Sequence, residues 1–155
     1  KADYLLEQSL EEDWYSMAKR TFECTKTMMA IHWFTLLKTY GEEVFDEFVT
    51  TLYDLGHDFA ELIKNDDYLE LALEPMSNIV CFRYVEDSLN TSELNQLNKQ
   101  IRQQILEEGE FYIVQTKLRG VHYLRTTIMN PFTTKTHLNQ LLGKVKEIAK
   151  SITSN

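Results

Sequence analysis

The stretch that decides the fold is VHYLRTTIM, residues 121–129, which is rich in β-branched and aromatic residues. The run IVCFRY at 79–84 has the same character, and residues 68–73 could add a short third strand. Residues 111–115 are expected to pair with 121–129 through a hairpin-like turn at 117–120. Together these runs predict a small antiparallel sheet.

Long apolar stripes at helical spacing surround the strand-like runs. Residues 10–40 contain no Pro or Gly, and Gly41 then supplies the left-handed position at which helices commonly end. A second stripe covers 44–65, a third runs from Asn90 or Thr91 to Gly109, and a last one follows a cap at Thr133 or Thr134. The pattern therefore predicts four helices placed around the strands.

The element order predicts an α+β fold with long N-terminal helices, then a small antiparallel sheet with helices packed on one face. Residues 1–41 are predicted to be a lead-in segment and long helix, and residues 42–155 the small α+β domain. Gly56 lies inside the second helix, where it costs about 1 kcal/mol relative to Ala. This cost predicts that the helix packs closely on a neighbour at that position.

Composition excludes several classes of function. The chain has 155 residues, 43% of them hydrophobic, and a formal net charge of −8, which argues against a nucleic-acid surface. No apolar stretch reaches the roughly 18–20 residues of a membrane helix, and the first residues show no secretory leader. Cys24 and Cys81 are expected to be buried, reduced side chains. These features predict a cytoplasmic protein.

Few residues carry a recognisable chemistry. The five glycines stand alone, so no phosphate-cradling loop is expected, and the four histidines show no metal-binding spacing. Each histidine is expected to be an ordinary surface or half-buried residue. Arg125 differs, because an arginine in mid-strand must face water, pair with an acid, or point into a cleft that holds an anion. Its planar fork suits a carboxylate or a phosphate.

Several segments, in this order, resemble one enzyme family: RTFECTK at 20–26, IHWF at 31–34, KTYG at 38–41, IVCFR at 79–83, and residues 120–134. The family is that of the group II pyridoxal-phosphate-dependent amino-acid decarboxylases, which act on aromatic amino acids, glutamate or diaminobutyrate. The resemblance covers nearly the whole chain and corresponds to the C-terminal part of such an enzyme.

Two segments depart from the family pattern. Lys26 and Thr27 stand where two arginines are usual, and His32 and Trp33 replace a Lys-Leu pair. The resemblance makes Thr25 and Lys26 candidate site residues, with Lys26 in the place of a family arginine.

The resemblance implies the small domain of a type-I fold enzyme, usually a homodimer, that decarboxylates an amino acid with pyridoxal 5′-phosphate. In that family a large domain supplies the Schiff-base lysine, and no His-Lys dipeptide occurs in this sequence. The chain is therefore expected to hold no catalytic, cofactor-binding or metal-binding residue, and to close the active-site cleft with Arg125 near it. The alternative is a non-catalytic module, derived from that domain, that binds a partner protein or a ligand.

Overall fold

A computed structural model describes residues 29–154, and the chain divides into two compact units, 1–47 and 48–155. The first unit contains helix α1, Met29–Tyr40. Gly41 ends it with a φ of 76°, and the Gly41 N–H donates to the carbonyl of Leu37 at 3.0 Å. The predicted cap at Gly41 is thus confirmed, while residues 10–28 of the predicted first helix lie outside the described residues.

Helix α2 spans Glu43–Lys64. Its buried stripe lies in the second unit and consists of Leu55, Gly56, Phe59, Ala60 and Ile63. A Cβ on Gly56 would lie 2.7 Å from the carbonyl oxygen of Ser77, in the turn that precedes the second strand. The close packing predicted at Gly56 is therefore confirmed.

The four strands form one antiparallel sheet in the order β1-β2-β4-β3. The strands are β1 Leu69–Leu71, β2 Ile79–Tyr84, β3 Val114–Leu118 and β4 Val121–Thr127. They confirm the antiparallel sheet that the sequence predicts.

The predicted hairpin is confirmed, but its first strand lies later than predicted, since β3 is Val114–Leu118 rather than 111–115. The turn is formed by two residues, Arg119 and Gly120, whose φ values of 51° and 84° are both positive. Such a turn joins twisted strands directly, so Leu118 pairs with Val121. Ile113 is buried before the strand begins.

Helices α3, Thr91–Glu108, and α4, Lys135–Thr153, complete the second unit. Asn90 caps α3 in a capping box with Glu93, and Gly109 ends the helix in the left-handed conformation. Thr134 caps α4, and its backbone N–H donates to Nδ1 of His137 at 3.2 Å. Both starts fall at positions that the sequence predicts.

The core lies between the helices and one face of the sheet. Along β2 the side chains of Val80, Phe82 and Tyr84 are buried, and they alternate with less buried neighbours. Phe82 meets Phe59 of α2 edge to face at 5.4 Å between ring centroids. Burial of each such large apolar side chain contributes about 1.5–3 kcal/mol. The helices therefore pack on one face of the sheet, as predicted.

None of the helices within residues 29–154 combines the length and the apolar composition that crossing a bilayer requires.

Candidate functional site

The opposite face of the sheet is polar. Because side chains alternate along a strand, the residues between the core positions of β1, β2, β3 and β4 all point to this side. We call this surface the polar face; its central members are Glu70, Cys81, Arg83, Thr116, Tyr123 and Arg125.

Glu70, Arg83 and Tyr123 form a connected cluster on the polar face. Nη2 of Arg83 lies 2.7 Å from Oε2 of Glu70, and the Tyr123 hydroxyl donates to Oε1 of Glu70 at 3.2 Å. The Arg83 guanidinium also stacks over the Tyr123 ring, 5.5 Å from its centroid. Burial, followed by the charge of Glu70, raises the pKa of Tyr123. Tyr123 therefore acts as a hydrogen-bond donor, and both oxygens of Glu70 are engaged.

Arg125 lies in the middle of the polar face, on β4. Its neighbours in the ladder are Cys81 of β2 and Val114 of β3, so its backbone is held on both sides. Burial raises the pKa of the Cys81 thiol, while the positive charge of Arg125 opposes that effect. Arg125 lies in mid-strand, as the sequence predicts, and its side chain is on the face of the sheet opposite to the core.

His122 occupies the core side of β4 and corrects a sequence expectation. Its side chain is only 2% exposed, although every histidine was predicted to be at the surface or half-buried. Burial, followed by the positive charges of Lys99, Lys117 and Arg102, lowers its pKa from 6.5 to about 4. Both ring nitrogens are buried without a hydrogen-bond partner among the described residues. His122 is therefore a neutral core residue near physiological pH.

The lysines of residues 29–154 do not provide a Schiff-base site. Each is either exposed or paired with a carboxylate, as Lys144 is with Glu108 at 2.6 Å. A lysine that attacks an aldehyde must be neutral and desolvated, and an ion pair favours the charged form. The same residues contain no group of three His, Cys, Asp or Glu side chains that could hold a metal ion. Residues 29–154 therefore lack a lysine suited to bind a pyridoxal cofactor.

The candidate residues predicted from sequence are not all brought together. Thr25 and Lys26 lie outside the described residues, so only Arg125 has a known place. Sequence reasoning missed the roles of Glu70, Arg83 and Tyr123. The signal available for Arg83 was its position in β2, between the core residues Phe82 and Tyr84, which puts it on the other face.

Comparison with known proteins gives a consistent result. The profile described as the pyridoxal-dependent decarboxylase conserved domain matches residues 1–85. L-2,4-Diaminobutyrate decarboxylase of Acinetobacter baumannii is 26% identical over 137 residues, covering 88% of this chain and 27% of that protein. Tyrosine decarboxylase 2 of Arabidopsis thaliana is 24% identical over 144 residues, covering 93% of this chain and 25% of that protein.

A solved structure shares the fold. It is the glutamate decarboxylase domain of diaminobutyrate-pyruvate transaminase and L-2,4-diaminobutyrate decarboxylase from Vibrio parahaemolyticus, with a TM-score of 0.73 and 27% identity. The match covers 79% of this chain and 26% of that one. The chain thus spans about a quarter of the length of the relatives that it matches.

Proposed function

Because the chain belongs to the pyridoxal-dependent decarboxylase family, we propose that it is the C-terminal part of an enzyme that releases the carboxyl group of an L-amino acid as carbon dioxide. Relatives over nearly the whole chain carry the names of amino-acid decarboxylases, which supports the reaction class. The shared fold with a decarboxylase domain at 27% identity supports the same assignment.

The cofactor of this family is pyridoxal 5′-phosphate, which supplies the electron sink for such a reaction. Since residues 29–154 lack a lysine suited to bind the cofactor, a large domain on the same or a partner polypeptide would hold it. In this proposal the complete enzyme is a cytoplasmic homodimer, and the chain closes the active-site cleft against water.

The polar face is the surface that would line the cleft, and Arg125 is its proposed substrate-facing residue. Among the described residues, the strands contribute two arginines, Arg83 and Arg125, and one carboxylate, Glu70, to this face. Both oxygens of Glu70 are engaged by Arg83 and Tyr123. An arginine on a central strand suits recognition of a carboxylate, which it binds through two parallel hydrogen bonds. The place of Arg125 on a central strand of this face is the observation that carries the proposal.

The test uses the complete protein that contains this chain, purified with pyridoxal phosphate and supplied with each of the common L-amino acids. Release of carbon dioxide from one of them is the expected result. Arg125→Ala should lower kcat/KM at least ~30-fold, because loss of a charge-paired arginine costs about 2 kcal/mol or more. Arg125→Lys should restore part of the loss, and Lys150→Ala, on the exposed side of α4, should leave kcat/KM unchanged.

Two results would count against the proposal. If the complete protein neither absorbs as a pyridoxal-phosphate enzyme nor releases carbon dioxide from any of these amino acids, the reaction is wrong. If activity is present and Arg125→Ala folds with unchanged kinetics, Arg125 has no place at the substrate.

A further inference from the structure

Three positive charges of the second unit lie near the β3–β4 hairpin without an acidic partner among the described residues. Residues 111–146 contain no Asp or Glu, although the whole chain carries 24 acidic residues. Lys117 lies in this acid-free span, on β3, and Lys99 and Arg102 lie on α3. None of the three makes an ion pair with any residue in the 29–154 range. An acidic protein therefore has a local surface of uncompensated positive charge.

Helix geometry places two of these cations on one side of α3. Asn95, Lys99 and Arg102 recur at i, i+4 and i+7, so they share one stripe of α3. Asn95 fixes that stripe over the β3–β4 hairpin, because its Nδ2 donates to the Gly120 carbonyl at 3.0 Å and its Oδ1 accepts from the His122 N–H at 2.7 Å. The stripe therefore faces the hairpin rather than α4.

Lys117 faces the same stripe from the sheet. It pairs with His122 in the β3–β4 ladder, so its side chain is on the core side, where α3 lies. The pKa of His122 is consistent with this placement, because the charges of Lys99, Lys117 and Arg102 add to the effect of burial in lowering it. All three cations therefore lie near the His122 ring. We call the surface formed by Lys99, Arg102 and Lys117 the basic groove.

The basic groove runs beside an open strand edge. β3 is the last strand of the sheet, and within the part of the chain that the structure describes it pairs with β4 alone. Next to a two-residue turn, the Leu118–Val121 pair is hydrogen-bonded, so the backbone groups of Gln115 and Lys117 point away from β4. These N–H and C=O groups are a template for another extended segment.

We propose that the basic groove and the open edge of β3 bind an extended acidic peptide segment of a partner protein, which adds a fifth strand to the sheet. Backbone hydrogen bonds to β3 would align the segment. Every second side chain of the segment would then point toward α3, where carboxylates meet Lys99, Arg102 and Lys117. Charge complementarity selects the occupant, and the net charge of −8 disfavours a nucleic acid.

The test uses the full 155-residue chain, labelled with ¹⁵N, and a synthetic octapeptide in which Glu and Thr alternate. We expect chemical-shift changes confined to β3 and the Asn95–Arg102 stripe, and slower hydrogen exchange at the amides of Gln115 and Lys117. The pKa of His122 should rise when carboxylates fill the groove, because they offset the positive charges that now lower it.

Variants and control peptides distinguish binding at this site from nonspecific electrostatic attraction. Lys99→Glu combined with Lys117→Glu should weaken binding of the acidic octapeptide at least tenfold, whereas Lys150→Glu on α4 should change it less than twofold. An octapeptide of alternating Lys and Thr should not bind.

Three outcomes would overturn the inference. The first is binding of the acidic octapeptide without added exchange protection at Gln115 and Lys117. The second is a matching effect of inorganic phosphate on the same resonances at the same concentration, since a free anion cannot add a strand. The third is occupation of the β3 edge by a second copy of the chain, visible as concentration-dependent protection of Gln115 and Lys117 without peptide.

Discussion

Acidification should destabilise the fold through His122. The pKa of this side chain is about 4 in the folded protein, against 6.5 for a free histidine, so the folded state favours the neutral ring. The His122 ring binds a proton more readily in the unfolded chain than in the folded one. Its contribution to the free energy of unfolding is therefore fully present above about pH 6.5 and is lost as the pH falls toward 4. The difference between the two pKa values corresponds to about 3 kcal/mol. That is a large share of the 5–15 kcal/mol typical of a domain.

Urea denaturation of the 155-residue chain at pH 7.5, 6, 5 and 4 measures this loss. Carboxylates also titrate over part of this range, so the informative quantity is the difference between the wild type and His122→Gln. Altered packing should make the variant less stable than wild type at neutral pH, but the variant should lose about 3 kcal/mol less than wild type between pH 7.5 and 4. His57→Gln, at an exposed position of α2, should follow the wild-type profile.

Parallel pH profiles for the wild type and His122→Gln would refute the reasoning. So would a direct NMR titration in which the His122 ring in the folded chain protonates near pH 6.5. Either result would mean that water or an acceptor outside residues 29–154 solvates the ring.

Three further predictions concern stability, each measured by urea or thermal unfolding. Gly56→Ala should destabilise the fold by about 1–3 kcal/mol, because its Cβ would lie 2.7 Å from a backbone oxygen of the turn before β2. Gly143→Ala should instead stabilise α4 by up to about 1 kcal/mol, because no neighbouring atom lies within 4 Å of the added Cβ. Equal effects at the two glycines would contradict this. Arg119→Gly should stabilise by about 1 kcal/mol, since Arg119 adopts a φ of 51° at the hairpin turn; a loss of stability would show that its side chain matters more than its backbone. Asn98→Leu should cost about 2–4 kcal/mol, because the buried amide binds both the N–H and the C=O of Tyr84; a cost below about 1 kcal/mol would show that water replaces those bonds.

Local signals in the sequence were sufficient for the helices within residues 29–154 and for the presence of the sheet. The caps at Asn90, Thr134, Gly41 and Gly109 depend on side chains and backbone conformations within a few residues, and all four appear where the sequence indicates. The family resemblance is also confirmed, by the match over residues 1–85.

The bounds of β3 could not be predicted from the local sequence. Phe111 and Ile113 look like strand residues, yet Ile113 is buried ahead of the ladder, and the two positive φ values at Arg119 and Gly120 set the pairing. Arginine is unusual at the first position of such a turn, where glycine, asparagine and aspartate are the common residues. The sequence around Arg119 therefore does not indicate a two-residue turn.

Of the polar face, the sequence indicated Arg125 but not the cluster of Glu70, Arg83 and Tyr123. Arg125 stands out because it is charged in mid-strand, but the Glu70–Arg83 ion pair forms only after β1 and β2 align. The burial of His122 likewise depends on α3 covering β4, which no pattern around residue 122 reveals. Contacts between segments distant in sequence decided both cases.

The strand order has a consequence for how the second unit assembles. The two central strands, β2 and β4, are separated in the chain by all of α3 and β3. Closing that long loop is slow, whereas the β3–β4 hairpin needs only neighbouring residues and forms within microseconds. We therefore expect the hairpin to act as an early folding nucleus, and β2 to dock onto it only after α3 has turned the chain back. Until β2 has docked, the backbone of Arg125 is paired only with Val114 of β3.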